Sequence, residues 1–85
     1  MRLTTKGKYA VTALLDLSLH QTAKDFISLS RIAERQAMPI FYLEQLFRNL
    51  RKSGIVQASR GPKGGYRLSR PSTEINISEV IASVE

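Results

Sequence analysis

Apolar residues recur along this chain at helical spacing in several stretches and at strand spacing in one. From Thr5 to His20, the residues Ala10, Val11, Leu14, Leu15 and Leu17 return at intervals that place them on one broad apolar helix face. Thr4 or Thr5 suits the cap of this helix, because a side-chain oxygen there accepts from an unpaired N–H of the first turn. Gln21 to Phe26 lacks the pattern and reads as a loop. Ser28 is a second cap candidate, opening a short helix over Leu29 to Gln36 with Leu29, Ile32 and Ala33 directed inward. Ala37 and Met38 form a turn. Pro39 suits the first position of a third helix, where its missing N–H has no helical partner anyway. Within that helix Ile40, Leu43, Leu46, Phe47 and Leu50 make a buried stripe. Ser53-Gly54 ends it, Gly54 being able to take the left-handed conformation.

The second half changes period. Ile55 to Ser59 is short and partly apolar, as a strand is. Arg60-Gly61-Pro62-Lys63-Gly64-Gly65 is a dense turn signal, and Tyr66-Arg67-Leu68 alternates inward and outward. Together they predict a β-hairpin directly after the third helix. Beyond Pro71, Ser78 is expected to cap a last helix containing Val80, Ile81 and Val84. That helix is short enough to need docking or continuation. Two helices joined by a short turn, the second longer and basic at its end, match the helix-turn-helix pattern. The predicted architecture is α+β, a winged helix-turn-helix with a three-helix core, a two-stranded β wing and a C-terminal helix. It forms one domain over residues 1–85, with the helix-turn-helix at about 28–53 and the wing at about 55–69. A dimerisation or sensor segment is expected to follow.

Composition adds exclusions. The chain has 85 residues, no cysteine and a single histidine, His20. Disulfides and thiolate metal sites are therefore excluded within it, and one imidazole does not make a metal site. His20, at a helix end, reads as solvated. No apolar run approaches the roughly 18 residues a membrane span needs, and no signal-type run follows the first residues, so a cytoplasmic protein without a membrane partner is expected. No arrangement of nucleophile, base and acid appears, and an enzyme is not expected.

Charge is more informative. Thirteen Lys and Arg face seven Asp and Glu, a net charge of +6. Between Glu44 and Glu74 there is no acid, yet Arg48, Arg51, Lys52, Arg60, Lys63, Arg67 and Arg70 all lie there. Arg2, Lys6 and Lys8 precede the first acid, Asp16. The plain alternative is a solvated basic surface; the other is a polyanionic partner. The apolar stripe of the third helix leaves Phe41, Tyr42, Glu44, Gln45, Arg48, Arg51 and Lys52 outward. In a major groove Gln45 can pair with adenine and Glu44 can accept from the cytosine amino group. Tyr42, Arg48 and Arg51 suit phosphates. Glu44 can equally pair with Arg48 one turn on, and Tyr42 can lie half-buried against the first helix. Arg60 and Lys63 stand among glycines that let a backbone approach a groove closely, so Arg60, Gly61 and Lys63 join the candidates. Arg2, Lys6 and Lys8 can clamp phosphates beside the N-terminus of the first helix, which favours anions, or form a frayed basic end; Arg2 and Lys6, with the cap residue Ser28, complete the set. Double-stranded DNA is the expected partner; a basic RNA-binding module and a pure protein-interaction module are the rivals.

These residues also resemble a known family. Met1-Arg2-Leu3-Thr4-Thr5-Lys6-Gly7-Lys8-Tyr9-Ala10-Val11, Tyr42-Leu43-Glu44-Gln45-Leu46-Phe47, Leu50-Arg51-Lys52-Ser53-Gly54 and Arg60-Gly61-Pro62-Lys63-Gly64-Gly65-Tyr66 are similar to the IscR-like (Rrf-two) regulators. The resemblance implies a dimeric winged-helix transcription factor on a pseudo-palindromic operator. Tyr42, Glu44 and Gln45 would read the major groove and Arg60 the minor groove. It further implies control of iron–sulfur cluster assembly or related stress genes. Full-length members usually hold a [2Fe–2S] cluster through three cysteines and dimerise through a long helix, neither of which this stretch contains. Some relatives lack the cluster and regulate cysteine or other metabolism through a protein partner. Pro39 and Phe41 depart from the polar residues often found at the start of the family's recognition helix.

Overall fold

A computed structural model describes residues 4–85. Four helices and one antiparallel hairpin follow in the order α1 (Thr5–His20), α2 (Leu29–Gln36), α3 (Ile40–Lys52), β1 (Val56–Ser59), β2 (Gly65–Leu68), a 3₁₀ turn (Ser72–Glu74) and α4 (Ile77–Val84). This is the expected α+β winged helix-turn-helix. The strands pair Val56 with Leu68 and Ser59 with Gly65, leaving Arg60 to Gly64 as the wing turn.

The caps explain where the helices start. Thr4 Oγ1 accepts from the Gly7 N–H at 3.0 Å and donates to Glu85 Oε2 at 2.8 Å, so the beginning of α1 is tied to the end of α4. Ser28 caps α2 by accepting from the Arg31 N–H. Ala37 takes the left-handed conformation (φ 53°) after α2 and turns the chain within a few residues into α3. Gly54 (φ 78°) does the same after α3. Pro39 differs from expectation: it occupies the cap position with extended ψ, and the helix begins at Ile40. The last cap differs too. Asn76, not Ser78, accepts from the Glu79 N–H at 2.9 Å, while the Glu79 carboxylate reaches back to the Asn76 N–H. Ser78 donates its hydroxyl to Asn76 Oδ1 instead.

The core gathers Ala10, Ala13, Leu14 and Leu17 of α1, Ile32 of α2, Leu43, Leu46, Phe47 and Leu50 of α3, Ile55, Val56 and Leu68 of the wing base, and Val80 and Val84 of α4. Two expected core residues lie outside it. Ile40, the first residue of α3, is 43% exposed, and Leu15 is 59% exposed because it lies off the buried face of Ala10, Ala13, Leu14 and Leu17. Met38, read as a turn residue, is buried and plugs the corner between α2 and α3.

The loop after α1 runs alongside β2. Leu68 N–H donates to Gln21 Oε1 at 2.8 Å, Arg67 Nη1 donates to the Ala23 carbonyl at 3.0 Å, and Ile27 forms an antiparallel bridge with Tyr66. Tyr66 also meets Phe47 of α3 edge to face, ring centroids 5.0 Å apart. The wing is thus fastened at its base to α3 and to the loop that leads into α2.

Candidate nucleic-acid interface

The buried stripe of α3 decides what the rest of that helix presents. With Leu43, Leu46, Phe47 and Leu50 inward, Phe41, Glu44, Gln45, Arg48, Arg51 and Lys52 are all exposed. No ion pair links Glu44 to Arg48 among the described residues, so the carboxylate and the three cations of this face are open to a partner. Tyr42 stands apart: it is half-buried, and its ring meets Tyr9 of α1 edge to face at 5.2 Å. That contact fixes the first turn of α3 against α1 and leaves part of the ring accessible.

Arg60, Gly61 and Lys63 are exposed on the wing turn, with Gly61 at φ 103° and its carbonyl accepting from the Gly64 N–H at 2.9 Å. The basic run divides at this point. Arg67 lies over the Phe26 ring at 5.5 Å as well as bonding Ala23, and Arg70 is paired with Glu79 of α4. Those two cations hold the fold, while Arg48, Arg51, Lys52, Arg60 and Lys63 face outward. Glu79, held by Arg70 and by the Asn76 N–H, stays ionised below the usual carboxylate range. Lys6 is exposed on the first turn of α1, and Ser28 is half-buried, its hydroxyl 3.1 Å from that of Ser30. Arg2 lies outside the described residues.

Asp16 is the group that sequence reading passed over. It is 2% exposed, yet charged: Arg35 grips both oxygens, at 2.7 Å from Nη2 and 3.0 Å from Nε, and Gln36 Nε2 donates at 2.9 Å. The Arg35 hydrogen bonds hold its carboxyl below the usual carboxylate range despite burial, which acts the other way, and Asp16 in turn raises Arg35. This cluster fastens the end of α2 to α1, and so sets the angle at which α3 is presented. The signal was available: Asp16 falls on the helical face of Ala10, Ala13 and Leu17, where a lone charge needs a buried partner. His20 is exposed, as its place at a helix end predicts, and its Nδ1 lies 2.8 Å from the Asp16 carbonyl in the same corner.

Comparison with known proteins adds the lineage. Residues 3–85 match Rrf2, described as an iron-dependent transcriptional regulator. The chain belongs to the Rrf2 family. It is 49% identical over its whole length to the HTH-type transcriptional regulator IscR of Cereibacter sphaeroides, of which it spans 56%. The solved structure of T. potens IscR superposes on all of the chain and 61% of that protein, with a TM-score of 0.88 and 42% identity. CymR of B. subtilis, a global cysteine regulator, superposes on all of the chain and 65% of that protein, with a TM-score of 0.91 and 33% identity. The chain spans about half the length of the curated Rrf2 relatives it matches. An iron–sulfur cluster does not fit the residues present: the chain has no cysteine, and no group of three or more His, Cys, Asp or Glu is placed to share a metal among the described residues.

Proposed function

We propose that this Rrf2 chain is the duplex-DNA-reading part of a transcriptional regulator. The observation that carries the reading is the outward side of α3. It offers Glu44 and Gln45 in its first half and Arg48, Arg51 and Lys52 in its second, with nothing packed over them among the described residues. A helix of this kind enters a major groove with its first turns against base edges. Glu44 and Gln45 are then the base readers, with Tyr42 at the groove edge and Arg48 and Arg51 on phosphates. The wing places Arg60 at the adjacent minor groove, with Gly61 and Lys63 close to the backbone; Lys6, Ser28 and Arg2 flank it.

In the full protein the reading extends to a homodimer on a pseudo-palindromic operator in the bacterial cytoplasm. There it represses or activates genes of iron–sulfur cluster assembly or a related stress response. The greater length of the relatives supports a further segment for dimerisation and sensing, and a [2Fe–2S] cluster would have its cysteines there. Gel shifts with matched duplex DNA and RNA test the core of this reading. Duplex DNA should bind more tightly, since an A-form major groove does not admit a helix, and tighter RNA binding would overturn it.

The likeness to the B. subtilis cysteine regulator supports a second reading, a cluster-independent regulator acting through a protein partner. The absorption spectrum of anaerobically purified full-length protein separates the two.

A further inference from the structure

The bridge between Ile27 and Tyr66 leaves a cleft of about 490 Å³ between the start of α2 and the wing turn. Arg31 and Arg35 line it from α2, His20 from the end of α1 and Lys63 from the wing. Arg35 is committed to Asp16 at 2.7 Å. The acid lining the cleft, Asp25, accepts a hydrogen bond from Thr22 Oγ1 at 3.0 Å. Arg31 and Lys63 are both exposed, and neither makes an ion pair among the described residues. Two uncommitted cations on opposite walls of a concavity focus positive potential into it.

The docking geometry says what passes by. When α3 lies in a major groove and the wing in the adjacent minor groove, the sugar–phosphate strand between the grooves runs past the first helix of the pair, which crosses the backbone. We infer that the cleft takes one backbone phosphate of duplex DNA, held by Arg31 from α2 and Lys63 from the wing. This rests on the DNA-binding reading and adds Arg31, a residue outside the candidates drawn from sequence. Clamped from both sides, the phosphate sets the register of the wing relative to α3.

The probe is a duplex selected by the chain itself from a random-sequence pool, with single phosphates ethylated. One phosphate should weaken wild-type binding when ethylated, weaken Arg31→Ala binding less, and have no effect once Lys63→Ala is added to Arg31→Ala. At about 0.1 M salt Arg31→Ala should bind about eightfold more weakly, equally across sequences, because each phosphate contact contributes roughly 0.9 to the log–log salt slope. Arg31→Lys should recover most of that loss. An ethylation pattern and salt slope unchanged in Arg31→Ala would overturn the inference. So would saturable shifts of the Arg31 guanidinium signals by inorganic phosphate alone with the ethylation pattern unchanged, which would assign the cleft to a free anion. Failure of the wild-type chain to select any duplex overturns the DNA-binding reading itself, and the clamp with it.

Discussion

Ile27 and Tyr66 exchange two backbone hydrogen bonds, each 2.8 Å, across 39 positions of sequence. That pairing adds the residue before the α2 cap to the edge of β2, so the wing and the helix-turn-helix share one rigid base. Gly65 makes the approach possible. A Cβ there would lie 2.2 Å from the Ile27 carbonyl oxygen, and the backbone is at φ 151°. Gly65→Ala must therefore separate wing from helix or strain both, at about 2 kcal/mol or more. The expected result is a fall in Tm of roughly 8–16 °C for a domain of this size, with faster hydrogen exchange at the Ile27 and Tyr66 amides. Unchanged exchange at both amides would show that the bridge does not hold the wing.

Acid should loosen the corner between α1 and α2. Asp16 has its pKa depressed in the folded chain, mainly by its hydrogen bonds from Arg35. A depressed carboxylate contributes stability that is fully present above its unfolded value, about 3.9, and is lost as pH falls through the folded value. Unfolding free energy should therefore drop as pH is lowered below about 5, and Asp16→Asn should flatten that dependence. At neutral pH the Asn variant should be less stable by about 2 kcal/mol, below the range for a fully buried pair because Arg35 retains access to water. Urea titrations between neutral and acid pH check both the slope and the offset.

These two corners also mark where sequence stops being informative. The bounds of α1 and α2 were legible because Thr4 and Ser28 are side-chain caps directly before periodic apolar runs. The end of α3 was legible because Gly54 follows its last buried residue. The start of α4 was misplaced because Ser78 and Asn76 both cap well; the glutamate three residues on, Glu79, belongs to Asn76 and decides between them. Ile40 fits the α3 stripe by spacing, but only the packing of α1 fixes how far that stripe is covered. In the candidate interface, helical periodicity exposed Glu44, Gln45, Arg48 and Arg51 correctly. It could not sort the remaining cations: Arg67 finds Ala23 from 44 residues away, and Arg70 finds Glu79 on another element.

That sorting predicts a contrast. Arg60 is exposed on the wing turn, whereas Arg67 is occupied by Phe26 and Ala23. Arg60→Ala should leave Tm unchanged and reduce the slope of log K against log salt by about one. Arg67→Ala should do the reverse, leaving the slope in place and costing about 1 kcal/mol of stability through the lost ring and carbonyl contacts. Salt titrations of duplex binding, paired with thermal melts of the same variants, measure both effects. A slope reduced by about one in Arg67→Ala would mean that its guanidinium leaves Phe26 to meet DNA.

Glu44 supplies the sharpest test of base reading. It is exposed in the first half of α3, with Gln45 beside it and no cation paired to it among the described residues. Near a phosphate polyanion an unpaired carboxylate is repelled everywhere except where a base donor meets it. The cytosine amino group is such a donor, and losing a good base contact costs about 1–3 kcal/mol of discrimination. Glu44→Ala removes the repulsion and the donor requirement together. Affinity for mismatched duplexes should therefore rise or hold, while preference at one or two positions of the selected site collapses by roughly tenfold or more. Gln45→Ala should behave differently, weakening the preferred site without improving the others, because a neutral amide does not repel the backbone. Site selection from a random pool with each variant resolves the two patterns. An unchanged preference in Glu44→Ala would place this carboxylate outside the groove and turn the presented face of α3 away from the bases.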